Sequence, residues 1–437
     1  MKNYLELVPR YARIHRKQNC MSILCIILSV FLVATIFGMA DMYIRSQLIK
    51  TRQEDGNWHI ALSRISDKTA ELIAARPEVQ TVVCYGTLNY RLDLGYTVGG
   101  KDVVICGGEA PLLTEIYAGA LSEGAFPSTA HEVLVSANVK KELGLDIGSP
   151  IAIRDAAGTE SVYTICGFSE NPPMVLNKDI YAVFMNTAAF RDFFPGVTDG
   201  EPDDYDSCFL DQFRDHHRIR STINDIKAQF QLSDAQVGEQ AMLLGLLGQS
   251  GEGNPFMLMI YAAAAVLSIL VLLAGILMIA SSLNSNIAGR AEFFGMLRCI
   301  GATPRQITRL VHREALSLCT LAIPASLLSS MAVIWVLCAV LRCLSPMYFS
   351  TMPAFAVSLP SIAAGAVIGI LTVLMASRAP AKRASKASPL AAVTGSANDL
   401  APVRRAADTS VCKVDTALGI HHAMASRRNF LLVVGSF

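Results

Sequence analysis

The sequence has few charged residues and none of the common signatures of a catalytic site. Charged side chains make up 17% of its 437 residues, whereas soluble proteins average about a quarter. It contains no G-x-x-x-x-G-K-[ST] loop for nucleotide phosphates, no H-E-x-x-H zinc pair and no G-x-S-x-G nucleophile turn. No C-x-x-C pair occurs among its eleven cysteines. We therefore expect no enzyme activity in this chain, and no catalytic, cofactor or metal site.

The hydrophobic residues, 52% of the total, concentrate in runs that are long enough to cross a bilayer. A bilayer core about 30 Å thick requires roughly 20 apolar residues in a helix. We predict four spans and the start of a fifth, at residues 22–43, 256–283, 316–341, 355–376 and 430–437. A cleaved signal peptide is the alternative for the first run, but its length and the lack of a small-x-small cleavage site favour a true span.

Charge is distributed unevenly between the segment that separates the first two spans and the rest of the chain. Residues 44–255 hold 17 Lys and Arg against 29 Asp and Glu, whereas the rest holds 20 and 7. Lys and Arg near span ends stay on the cytoplasmic side. The basic N-terminus 1–21, the loop 284–315 and the linker 377–429 fall on one side if the spans alternate. We expect a multi-pass plasma-membrane protein with a cytoplasmic N-terminus and an extracytoplasmic segment 44–255.

Alternating strand and helix patterns fill this extracytoplasmic segment. Ser66 and Ser136 are expected to cap helices, and the apolar residues of 218–230 recur at helical period. Strand-like runs occur at residues 79–84, 151–154, 161–168 and 180–185. The segment is therefore predicted to be a large α+β domain.

Polar side chains of this segment leave several interpretations open. Its four cysteines would allow two disulfides, but their strand-like settings fit buried thiols as well; they are Cys84, Cys106, Cys166 and Cys208. His216-His217 and the acidic residues Asp203, Asp204 and Asp206 are better explained as surface residues than as metal ligands.

The loop between the second and third spans has an unusual design. A short amphipathic helix is predicted, with one apolar stripe formed by Phe293, Phe294, Leu297 and Ile300. Gly301 is expected to end it. Thr303 and Gln306 then form a capping box around Pro304 and begin a helix that enters the bilayer.

The residues of this loop resemble those of FtsX-like ABC-transporter permeases, a family that includes MacB-type proteins. The matching positions are Arg290, Glu292, Gly295, Leu297, Arg298, Ile300, Gly301, Ala302, Thr303, Pro304, Gln306 and Ile307. Residues 121–148 resemble the MacB-like extracytoplasmic core domain of the family, and residues 379–392 resemble the segment after the last span of a permease unit. Residues 421–434 are similar to the basic stretch that leads into the first span, residues 12–17, as in a two-unit permease, and the chain is then expected to be truncated.

The resemblance implies an integral membrane α-helical permease that works with a separate cytoplasmic P-loop ATPase. It also implies surrounding membrane lipid and a second permease unit or a homodimer, and no nucleic acid. The short helix would dock on the ATPase as a coupling helix, through Arg290, Glu292, Phe293, Phe294, Leu297, Arg298 and Ile300.

The expected function is that of a permease subunit that couples ATP hydrolysis to motion of the extracytoplasmic domain. Its task would be the export or extraction of a peptide, a lipid-linked compound or an amphipathic compound. The alternative is a non-transporting relay that regulates an extracellular partner such as a cell-wall hydrolase. Cargo and direction stay open at this point.

Overall fold

The computed structural model describes residues 16–170, 179–193, 206–249 and 256–386. The chain divides into two compact units: one falls within Met1–Tyr43 and Ile260–Phe437, and the other is Ile44–Met259. Several expectations lie outside the described residues. These are the N-terminal stretch before residue 16, Asp203 and Asp204, the linker beyond residue 386, and the start of a fifth span.

The Ile44–Met259 unit is built on one eleven-stranded mixed sheet. The elements up to residue 249 are, in chain order, α1 (Arg16–Glu54), β1 (Ile60–Ser63), α2 (Asp67–Ala74), β2 (Val79–Leu88), β3 (Thr97–Val98), β4 (Lys101–Gly108), β5 (Leu121–Gly124), β6 (Glu132–Ser136), α3 (Ala137–Leu143), β7 (Pro150–Arg154), β8 (Glu160–Ser169), β9 (Tyr181–Asn186), α4 (Thr187–Phe193), β10 (Asp206–Phe213), α5 (Ile219–Phe230), β11 (Val237–Glu239) and α6 (Ala241–Leu246). A π-helical turn, Leu112–Ile116, precedes β5.

Six of the strands form a closed, barrel-like ring. The order β4-β3-β7-β8-β6-β9 returns to β4, because β9 pairs with β4 in parallel, with Val103 opposite Tyr181. Fully buried side chains such as Ile105, Ile153 and Val183 fill its interior. Strands β2, β10, β1 and β11 continue the sheet from β4. The sequence pattern predicted strands and helices for this unit, but it did not predict that six of the strands close into a ring.

Several local predictions for this unit agree with the structure. The hydroxyl of Ser66 accepts a hydrogen bond from the Thr69 amide (3.2 Å) at the start of α2. The strand-like runs 151–154 and 161–168 are present as β7 and β8, which pair as an antiparallel hairpin. Ser136 precedes α3 as predicted, but its hydroxyl accepts from the Ala182 amide of β9 (3.0 Å) instead of capping α3.

His59 and Asp211 are fully buried titratable residues of this unit. The Phe213 amide donates to Nδ1 of His59 (2.9 Å), so this ring nitrogen is an acceptor. Burial, with smaller effects from His216 and Arg52, lowers the pKa of His59 to about 3. Asp211 lies on β10 opposite Ile60 and Val82, and neither of its carboxylate oxygens has a hydrogen-bond partner among the described residues. Burial raises the pKa of Asp211 well above its usual value.

The four cysteines of this unit are not joined by disulfides in the structure. Cys84 and Cys106 are buried, and Cys166 and Cys208 are half-buried. The Cys166 thiol donates to the carbonyls of Ala125 and Val133, both at 3.3 Å. The sequence left disulfides and buried thiols as alternatives, and the structure agrees with buried thiols.

The other unit is a bundle of long apolar helices. It contains the first part of α1 and then α7 (Phe256–Ala288), α8 (Ala291–Cys299), α9 (Pro304–Leu344), α10 (Pro346–Phe349) and α11 (Leu359–Ala384). Four of them, α1, α7, α9 and α11, are long and apolar enough to cross a membrane. Their packing is close: a β-carbon at Gly369 of α11 would lie 2.5 Å from Val30 of α1.

The helix bounds differ from the predicted spans. Helix α11 begins at Leu359 instead of residue 355 and continues to Ala384, past the predicted end at residue 376. Helix α9 begins at Pro304, twelve residues before the predicted span. Hydropathy detects only the uncharged part of a helix, whereas the helical hydrogen bonding continues through the basic residues beside it.

Candidate coupling helix

The predicted amphipathic helix is present as α8, with a tight turn on its C-terminal side. Its last turn forms a Schellman motif: the Gly301 amide donates to the Arg298 carbonyl (3.1 Å) and the Ala302 amide to the Leu297 carbonyl (2.9 Å). Gly301 has φ +96°, which favours glycine at this position. The prediction that Gly301 ends the helix agrees with this geometry.

The next helix begins with the predicted capping box. The Gln306 amide donates to the Thr303 hydroxyl (3.3 Å), and the Thr303 amide donates to the Gln306 side-chain oxygen (2.8 Å). Pro304 occupies the first helical position, where no amide hydrogen is required. Only the residues from 300 to 303 separate α8 from α9, so the connection has little conformational freedom.

The inner face of α8 packs on α9 and α11. Phe294 is 2% exposed and belongs to a core cluster with Ile307, Leu310 and Val311 of α9 and with Ala381 and Ala384 of α11. Phe293 and Leu297 are half-buried against the same cluster. Burial of a phenylalanine side chain stabilises such a contact by roughly 1.5–3 kcal/mol.

A buried ion pair fixes the start of α8. Nη1 of Arg290 lies 2.6 Å from Oε1 of Glu314, and the two side chains are 4% and 17% exposed. Arg290 is the residue that precedes the first turn of α8, and Glu314 lies on α9. The pair therefore ties the N-terminal end of α8 to α9, while Phe294 ties its middle.

Apolar side chains are exposed on the outer face of α8. Met296 is 51% exposed and Ile300 is 85% exposed. Together with exposed Glu292 they form a row at i, i+4 and i+8. We call this row, Glu292, Met296 and Ile300, the open face of α8.

The structure thus divides the seven predicted docking residues into two groups. Glu292 and Ile300 lie on the open face. Arg290 and Phe294 are buried, and Phe293, Leu297 and Arg298 are half-buried. Of the predicted apolar stripe, Phe294 is covered by α9 and α11, whereas Ile300 is exposed. Sequence reasoning missed Met296, although its spacing of four from both Glu292 and Ile300 was a usable signal.

A comparison with known families identifies this part of the chain. Residues 265–389 match the family model described as FtsX-like permease C-terminal. The chain carries an FtsX-like permease domain. The predicted resemblance to FtsX-like and MacB-type ABC permeases is thereby confirmed, and the protein is a multi-pass membrane protein of permease type. No match was found among curated proteins.

The FtsX-like permease domain includes the whole candidate site. Helix α8, the ion pair and the contacts of Phe294 to α9 and α11 all lie within the matched residues. A permease of this family is a membrane component and does not itself need a catalytic centre.

Proposed function

We propose that this chain is the permease subunit of an ABC transporter and that the open face of α8 docks on a separate cytoplasmic P-loop ATPase. The family assignment supports such a partner, since FtsX-like permeases typically work with a cytoplasmic ATPase in ABC systems. The observation that carries the proposal is the division of α8 into a face clamped on the bundle and an open apolar face. Exposed apolar residues next to a polar one are typical of a protein interface.

In this proposal α8 acts as a rigid connector between the motor and the membrane helices. A displacement of α8 by the ATPase is transmitted to α9 through Glu314 and to both α9 and α11 through the Phe294 cluster. The unit Ile44–Met259 is the domain to be moved, on the extracytoplasmic side. The work done is the export or extraction of a peptide, a lipid-linked compound or an amphipathic compound.

The docking proposal is tested by placing charge on the open face. Met296→Glu combined with Ile300→Glu would place two carboxylates at a contact that the proposal requires to be apolar. We expect the gene of the P-loop ATPase to lie beside this one, and we expect the double variant to lose co-purification with that ATPase while membrane insertion is retained. Substitution at Phe294 is less informative, because that side chain is buried and its loss would disturb the packing of α8 itself.

Val162→Glu serves as the matched control. Val162 is an apolar residue of β8 that is 61% exposed, and it lies outside the permease domain. The same change there is expected to leave co-purification intact. Undiminished ATPase binding by the double variant of α8 would reject the docking proposal.

The proposed topology is tested with single cysteines in a background without Cys412 and without the thiols that are exposed among the described residues, Cys20, Cys299 and Cys343. Val162→Cys should react with a membrane-impermeant maleimide added to intact cells. Arg305→Cys, in the exposed first turn of α9, should react only after the membrane is permeabilised. If the cysteine at position 305 reacted in intact cells and the one at position 162 did not, the α8 end of the bundle would lie outside the cell, and the proposed function would be rejected.

A further inference from the structure

A cleft of about 290 Å³ lies between α2 and α4 in the Ile44–Met259 unit, above strands β2 and β10. Helix α2 contributes Asp67, Ala70, Glu71 and Ala74 to its lining. These positions, at i, i+3, i+4 and i+7, form one face of a helix, so a whole side of α2 is turned towards the cleft. Its volume is close to the lower end of the range for small-molecule sites, about 300–1,000 Å³.

The cleft carries more negative than positive charge. The Arg191 guanidinium of α4 donates two hydrogen bonds to the carboxylate of Asp67, of 2.9 and 3.0 Å, so this pair links the two helices and its charges cancel. The carboxylates of Glu71 and Glu109 also line the cleft. Among the residues that the structure describes, neither of them belongs to an ion pair. Charge complementarity therefore favours a cationic ligand over an anionic one.

The surface between these charges is apolar. Val82 of β2 and Phe209 of β10 lie at the base of the cleft and are half-buried. Ala70 and Ala74 present only methyl groups from α2. A bare metal ion gains nothing from such a surface, whereas the apolar part of an organic ligand gains free energy by covering it.

A buried acid lies directly beside the base of the cleft. Asp211 follows Phe209 by two residues on β10 and pairs with Val82 of β2, so its side chain is on the same face of the sheet as the cleft. Its carboxyl group is fully buried, and neither oxygen has a hydrogen-bond partner among the described residues. A buried polar group without a partner is uncommon in native proteins, and a ligand that donates to it would supply the missing hydrogen bond.

We propose that the cleft between α2 and α4 is a binding site for an amphipathic amine. Its ammonium group is attracted by Glu71 and Glu109 and donates to the carboxyl group of Asp211, which it reaches between the half-buried side chains of Val82 and Phe209. Its apolar part lies along α2, where alanines leave room for it. That the bound amine is cargo rests on the proposed function, whereas the binding itself does not.

Binding is measured by isothermal titration calorimetry on the full chain in lipid nanodiscs, without an ATPase. The probe is phenethylamine, which is protonated at neutral pH and is small enough for the cleft. Hydrocinnamate, which has the same ring and the opposite charge, is titrated in parallel. Empty nanodiscs are titrated too, and the heat of partition into lipid is subtracted.

Three variants locate the bound amine. Glu71→Gln combined with Glu109→Gln removes two carboxylates from the lining, Ala74→Leu fills the cleft, and Asp211→Asn removes the inner acid but keeps its shape. We expect each variant to weaken phenethylamine binding, by about tenfold for the loss of the two carboxylates. The natural chain should bind hydrocinnamate far more weakly than phenethylamine. Asp225→Asn, which removes an exposed carboxylate of α5 outside the cleft, is the matched control and should change the affinity by less than about twofold.

Equal affinities for phenethylamine and hydrocinnamate would show that charge does not select the ligand, and the proposal would be overturned. An affinity that is unchanged both in Ala74→Leu and in the double glutamine variant would place the amine elsewhere and would overturn it too, as would the absence of binding. An unchanged affinity in Asp211→Asn would refute the contact with the inner acid. Docking of α8 is measured by co-purification with the ATPase, so its failure and the failure of amine binding are separate results.

Discussion

The ion pair between Arg290 and Glu314 gives a quantitative test of how firmly α8 is attached to the bundle. Each single change, Arg290→Met or Glu314→Leu, leaves the other charge in a buried position, because the side chains are only 4% and 17% exposed. Removal of one partner of a buried pair costs about 3–5 kcal/mol, whereas an apolar replacement of both partners is close to neutral. We therefore expect each single variant to lose about 3–5 kcal/mol of unfolding free energy, and the double variant to lose far less than the sum.

The assay is a double-mutant cycle on the purified protein in mixed micelles. The free energy of unfolding is measured for the natural chain, both single variants and the double variant, and the coupling energy of the pair follows by difference. Arg305→Met is the control, since Arg305 is exposed in the first turn of α9 and such surface changes stay within about 0.5 kcal/mol. Strictly additive losses would mean that the two charges do not interact, and the attachment of α8 through this pair would be refuted.

Three further predictions concern the Ile44–Met259 unit. The pKa of His59 is about 3 in the folded chain and 6.5 in its ordinary state. At a pH between these two values, unfolding therefore lets the imidazole bind a proton. Thermal stability should fall as the pH falls from 6.5 towards 3, and it should fall less in His59→Phe. Burial raises the pKa of Asp211 well above its usual value, so the unfolded chain gives up this proton more readily than the folded chain does. Asp211→Leu should therefore raise the melting temperature more at pH 8 than at pH 4. Gly124 has φ +80°, and a β-carbon there would lie 2.6 Å from the Gly167 Cα. Gly124→Ala should therefore lower the free energy of unfolding by more than the roughly 1–3 kcal/mol that a strained backbone alone costs. Gly158, with φ +86° and open space around it, is the control; equal losses in chemical denaturation would show that the close approach to Gly167 is unimportant.

Local signals in the sequence predicted the ends of α8 and α9 well. The Thr303–Gln306 box, Pro304 and Gly301 act through hydrogen bonds within a few residues of themselves, so their effect is readable without knowledge of the fold. The apolar runs likewise predicted four membrane helices, because the length requirement of the bilayer is independent of tertiary structure.

Features that depend on distant parts of the chain were not predictable in this way. Phe294 of α8 and Ile300, the residue directly after α8, are both apolar, and the positions of α9 and α11 decide that Phe294 is buried and Ile300 exposed. The ring in the Ile44–Met259 unit closes between β4 and β9, where Val103 pairs with Tyr181, a residue 78 positions later in the sequence. A strand of two residues, such as β3, is too short to show an alternation of apolar and polar side chains in the sequence.

The short turn between α8 and α9 has a mechanical consequence. Because both ends of the turn are hydrogen-bonded, bending there is suppressed, and force on α8 must tilt the long helix that follows it. Helix α9 has 41 residues and a length of about 60 Å, so a tilt of about 5° at its base would move the far tip by about 5 Å. Pro324 interrupts this helix after 20 residues and frees the Thr320 carbonyl from its helical hydrogen bond, so α9 is expected to bend there more easily than in an unbroken helix.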